Sequence, residues 1–106
     1  MDFRMTDSEN DILELINRRR RQILVHSTIY YDFNANIIPD SQWAEWAVEL
    51  EELQTKYPEI AEKGVYAEDF KKFEHSSGYN LPTRDPWSVN KAQQLLAYHE
   101  RRRHNA

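Results

Sequence analysis

The feature that most constrains this chain is a helical period that opens on a capping signal and runs about 25 residues with no proline or glycine. It ends only where a Pro-Asp step starts a second helical period. In "TDSE" the Thr6 hydroxyl can accept from the backbone of Glu9 while the Glu9 carboxylate reaches back, the reciprocal arrangement of a capping box. Ile12, Ile16, Ile23, Ser27 and Tyr30 then recur at helical steps, which places them on one stripe able to face a core. A helix of this length extends roughly 37 Å.

In "DFNANIIPD" Asn34 and Asn36 tolerate turn conformations and Pro39 stops the first pattern, so a tight reversal is expected. Asp40 is expected to cap a second helix whose inner stripe is Trp43, Trp46, Ala47, Leu50, Leu53 and Tyr57, with Glu45, Glu49, Glu51 and Glu52 outside. A short connection makes the two helices an antiparallel hairpin. Pro58 interrupts the second helix or starts a short turn "PEIAEKG", and Gly64 reads as a stop that can take the left-handed conformation. Beyond it, Tyr66, Phe70 and Phe73 suit a short helical piece, and "HSSGYNLP" has the composition of a surface turn. Asp85 followed by Pro86 opens a last helix that would turn Val89, Ala92, Leu95 and Leu96 inward, its closing arginines favoured by the helix dipole and its final residues frayed. No segment reads as a strand and none repeats. The fold class expected is all-α: a long antiparallel hairpin with a third, C-terminal helix and a short irregular connection, as one domain over residues 1–106.

Composition narrows the function classes. With no cysteine there is no disulfide, thiolate nucleophile or Cys-based metal site, which suits a reducing compartment. No secretory layout opens the chain and no apolar run approaches the roughly 18 residues of a membrane span, so a soluble cytoplasmic protein without membrane contact is expected. A formal charge of −4 makes a general role on nucleic acid unfavourable, even with arginines at 18 to 21 and 101 to 103. Successive helical residues point about 100° apart, so the first arginine run makes no flat patch. Arg18 suits an i,i+4 pair with Glu14, and Arg19 and Arg20, nearest the core stripe, would need a carboxylate or phosphate partner to lie under the second helix.

His26, His75, His99 and His104 show no metal-ligand spacing, so no metal site is expected. The chain has no nucleophile elbow, P-loop or dinucleotide fingerprint, and no catalytic residue is assigned. What remains is the mouth of the hairpin. Tyr30 and Tyr31 close the first helix, Asp40 opens the second, and Trp43 lies one turn on. Such a group suits either an aromatic plug or a slot where a flat cationic ring stacks on aromatic faces while a carboxylate accepts ribose hydroxyls. His26, one turn before Tyr30, suits either a core histidine or a ligand contact.

The series "YY", "IIPD", an aromatic three residues later, "EL.EL" and "YPEI" resembles the small N-terminal helical domain of bacterial NAD-dependent DNA ligases, without a gap from Ile16 to Ile60. The resemblance implies a hairpin that clamps the nicotinamide mononucleotide half of NAD, with Tyr30, Tyr31, Asp40 and Trp43 at contacting positions. Ala44 stands where the family pattern has a second aspartate, and Trp43 where it usually has tyrosine. None of Lys56, Lys63, Lys71, Lys72 or Lys91 begins the K-x-D-G adenylylation motif. The expectation is therefore a free-standing, non-enzymatic relative of phage type in a bacterial host. It would have no resident cofactor and would bind NMN, NAD or a related nucleotide as ligand. The alternative is a protein-interaction module, such as a modulator of a host protein or a homodimer, that uses the same aromatic surface.

Overall fold

A computed structural model describes the chain over residues 5–75 and 81–104. Among these residues are four helices: α1 (Asp7–Asp32), α2 (Asp40–Lys56), the single turn α3 (Pro58–Ala61) and α4 (Pro86–His104). The all-α expectation holds, with no strand among the described residues. Most of the surface-turn segment, residues 76–80, and the last two residues lie outside the description.

Helix α1 starts as its sequence dictates. Glu9 N donates to Thr6 Oγ1 at 3.1 Å and Thr6 N to Glu9 Oε1 at 3.1 Å, and these bonds hold the Glu9 carboxyl below its usual range. The helix ends where Asn34 takes a left-handed φ of 49° and Ala35 N–H turns back to the Ile29 carbonyl at 3.1 Å. Helix α2 then returns antiparallel: Ser27 late in α1 meets Trp43 early in α2, whereas Arg19 and Arg20 meet Glu49 and Gln54 further along.

Helix α1 is the centre of the molecule. It packs against α2, α3 and α4, while the backbones of α2 and α4 do not approach one another. Ile16, Ile23 and Leu24 form one core with Ala47, Leu50, Ile60, Phe70 and Leu81. Val25 and Ile29 form a second with Ala92, flanked by Phe33, Ile37 and Leu96. Consequently residues 23–25 and 27–29 are all buried, which a single stripe does not provide.

Several expectations are corrected. Tyr30 is exposed rather than turned to a core, because the α2 contact nearest the mouth, Trp43, docks on Ser27, one turn lower. Asp40 is not a cap: Pro39, in extended backbone, takes that position and its carbonyl accepts from Gln42 and Trp43. Residues 66–72 form successive turns instead of a helical piece: after Phe70 N donates to the Tyr66 carbonyl at 3.0 Å, Lys71 N and Phe73 N turn to the carbonyls of Glu68 and Phe70, three residues back, and the helical ladder is not continued. Gly64 does not use positive φ. In α4, Ala92 is buried as expected but Leu95 is 37% exposed. Asp85 does cap that helix, accepting from Ser88 N at 3.2 Å.

Candidate functional site

At the mouth of the hairpin, Tyr30 and Tyr31 occupy the last turn of α1 and are 57% and 49% exposed. Their rings meet edge to face with centroids 5.0 Å apart. Consecutive helical residues diverge in direction, so one pair shares an edge contact while presenting two separate faces to solvent. Asp40 is exposed in the first turn of α2, and its Oδ1 accepts from Asn36 Nδ2 at 3.2 Å. A carboxylate has about four acceptor positions, so most of its capacity stays directed to solvent.

Trp43 is turned away from that surface. Its indole Nε1 donates to Ser27 Oγ at 3.3 Å, and its ring lies edge-on to Phe73 with centroids 6.5 Å apart. His26 packs on Trp46 instead of Trp43, with centroids 5.6 Å apart and planes tilted by 46°. The His26 Nδ1 is buried without a hydrogen-bond partner, and burial pushes its pKa below the ordinary histidine value. The ring is therefore neutral at pH 7. The structure thus leaves Tyr30, Tyr31 and Asp40 exposed at the end of the hairpin, commits Trp43 to Ser27 and Phe73 instead, and puts His26 in the interhelical packing.

Arg20 is the residue whose role the sequence did not reveal. Only 1% of it is exposed, and its partners are neutral: Nε donates to Gln54 Oε1 at 2.9 Å and Nη1 to the Val65 carbonyl at 3.0 Å. The carboxylate expected for a buried arginine is not there. The guanidinium lies over the Phe70 ring at 5.8 Å, and desolvation lowers its pKa to about 10, which leaves it charged at pH 7. The signal was present as a gap in the stripe: position 20 falls between Ile16 and Ile23 on the face that turns inward. Arg19, by contrast, has its carboxylate, with Nε 3.0 Å from Glu49 Oε2.

Described residues line several clefts. One of about 440 Å³ runs between Ile37 and the outer face of α4, with Leu95, Tyr98 and Arg102 on its walls. Another, of about 530 Å³, has Arg20 on its lining near the end of α2. No group of three or more His, Asp or Glu residues that could hold a metal ion occurs among the described residues. No helix among them is long and apolar enough to cross a membrane. No known family model matches the chain, and no solved structure matches it.

Proposed function

We propose that this chain is a non-catalytic binding module that works through the open end of its hairpin, and that its ligand is a nicotinamide-type or related nucleotide. The observation that carries this reading is the pair of half-exposed tyrosines in the last turn of α1, together with the exposed carboxylate of Asp40 in the first turn of α2, across the same hairpin connection. An aromatic face attracts a cationic ring, and a carboxylate accepts from ribose hydroxyls. The ligase-type spacing of "YY", "IIPD" and Trp43 supplies the ligand class.

The same geometry limits the affinity. With Trp43 anchored to Ser27, the mouth offers one wall rather than an enclosed slot. An exposed cation–π contact contributes about 0.5–1 kcal/mol and a charge-assisted hydrogen bond about 1.5–3 kcal/mol. Together, at about 2–4 kcal/mol, they support a dissociation constant between about 1 and about 30 mM. Titration of the ¹⁵N-labelled protein with NMN, NAD and ADP-ribose tests the reading. Saturable shifts of Tyr30, Tyr31 and Asp40 amides with NMN, stronger than with ADP-ribose, are expected. Flat spectra at tens of millimolar NMN overturn it.

A second reading, a protein-interaction module, is favoured by the apolar exposure of α4, where Trp87, Leu95 and Tyr98 are 38%, 37% and 53% exposed. Light scattering across a concentration series separates the two. Self-association removed by Leu95→Asp, together with no response to nucleotide, selects this reading over the first.

A further inference from the structure

Arg20 is anchored from several sides, through Nε, Nη1 and the Phe70 ring. The chain from Gly64 to Val65 is drawn over the guanidinium so closely that a Cβ at Gly64 would lie 2.6 Å from Nη1 and 2.7 Å from Asn17 Oδ1. That Asn17 oxygen in turn accepts from Val65 N at 2.9 Å. Gln54, which holds Nε, is itself fixed by donating to the Phe70 carbonyl at 3.0 Å. A guanidinium has five N–H donors, and these partners take one from Nε and one from Nη1. The Nη2 group has no hydrogen bond among the described residues, and Arg20 lines the cleft of about 530 Å³.

The cleft has a defined charge arrangement. Glu62, Glu68 and Lys71 stand exposed on its rim, Ala61 and Ala67 give it a small apolar wall, and neither glutamate forms a salt bridge to Arg20. A buried cation at the floor calls for an oxyanion. Two carboxylates at the rim disfavour a ligand that is anionic throughout and favour one with a positive charge a few atoms away.

We propose that this cleft binds a small zwitterion, its carboxylate on the Nη2 edge of Arg20 and its ammonium group between Glu62 and Glu68. The site lies at the end of α2 remote from the tyrosine mouth and is independent of it. Short alanine walls and the modest volume suit an aliphatic ω-amino acid or an α-amino acid with a small side chain.

The test follows the side-chain Nε–H signal of Arg20 in the ¹⁵N-labelled full chain, with 4-aminobutyrate, glycine, acetate and inorganic phosphate as probes. One of the two zwitterions is expected to shift it saturably, at least about tenfold more tightly than acetate. Glu62→Gln with Glu68→Gln, both at exposed positions, should erase that preference. Ala67→Leu, which narrows the cleft without touching the partners of Arg20, should abolish the shift while the amide spectrum stays folded. Equal affinity for acetate and the zwitterions, tighter binding of phosphate, or no saturable shift with any probe at tens of millimolar overturns the proposal.

Discussion

At residue scale, Arg20 and Gly64 illustrate how a charge is accommodated inside a small helical core. Neutral oxygens satisfy part of the guanidinium and an aromatic ring covers its face, while glycine at 64 leaves room for its terminal nitrogen. Gly64→Ala should therefore destabilise the fold by about 1–3 kcal/mol through overpacking, since both crowded atoms, Arg20 Nη1 and Asn17 Oδ1, are held by Val65 and cannot swing away freely. Urea denaturation checks this, and unchanged stability would show that the two side chains relax. His26 gives a pH dependence whose sign follows from its lowered pKa. Above the ordinary histidine value of about 6.5 the ring is neutral in both folded and unfolded chains, and its burial costs nothing in protonation. As pH falls below that value the unfolded chain takes up a proton that the folded one resists, so stability declines until the folded ring also protonates. The urea midpoint should drop between about pH 7.5 and about pH 5.5, and His26→Phe, which keeps a ring against Trp46, should flatten that drop. The Glu51 carboxyl, held low by its hydrogen bonds from His75, acts only in the more acidic range below ordinary carboxylate values. Neither Arg20's neutral partners nor the orphaned His26 nitrogen was legible in the sequence, because both depend on what a distant segment brings to α1.

At the scale of elements, the helix starts were the most readable part of the chain, since capping chemistry is local. Thr6 with Glu9 and Asp85 with Pro86 act as their residue types require. Asp40 does not, because Pro39 already has the extended backbone of a cap and leaves the aspartate one position inside the helix. The two aspartates should therefore respond differently to alanine. Asp85→Ala should cost about 1–2 kcal/mol, having lost the Ser88 N–H and also the Tyr66 hydroxyl, which donates to Asp85 Oδ2 at 2.9 Å. Asp40→Ala should cost a few tenths of a kcal/mol through the helix dipole alone. Thermal melts of the two variants at equal pH decide it, and equal losses would return Asp40 to a capping role. The Tyr66 phenol, partly buried and bonded to that carboxylate, is raised above its ordinary pKa, so a fall of its pKa in Asp85→Ala gives a second readout. Element faces were less legible. The α2 stripe was read correctly because α2 buries a single face in the core it shares with α1, whereas α1 lies between α2 and α4 and buries both faces over residues 23–29, a pattern periodicity alone reports as one stripe. The turns of residues 66–72 were misread for a different reason: Tyr66, Phe70 and Phe73 stand at helical spacing, but the backbone bonds fall back to three-residue turns after Phe70, which residue type does not mark.

At the scale of the whole molecule, one central helix with partners on separate faces produces an elongated body of 54 × 26 × 25 Å whose hairpin mouth lies at one end of α2 and whose Arg20 cleft lies at the other. The sequence located the mouth residues, but not that Trp43 would be committed to Ser27 and Phe73, which reduces the aromatic slot to an open surface. Such a surface gains most from an added charged acceptor at its edge. Ala44 is exposed next to Trp43 and close to the positive end of α2. Ala44→Asp is expected to tighten NMN binding by about tenfold, because a second carboxylate would face the ligand beside Asp40, and to change folding by no more than a few tenths of a kcal/mol. Asp40→Ala should weaken binding with little effect on stability, since its carboxylate makes no capping bond. The separation of affinity from stability in these two variants is the decisive part, as a merely structural mouth would show neither change. If NMN shifts stay undetectable in both while the amide spectra remain folded, the tyrosine pair is not a nucleotide surface, and the exposed apolar face of α4 becomes the working surface of the molecule.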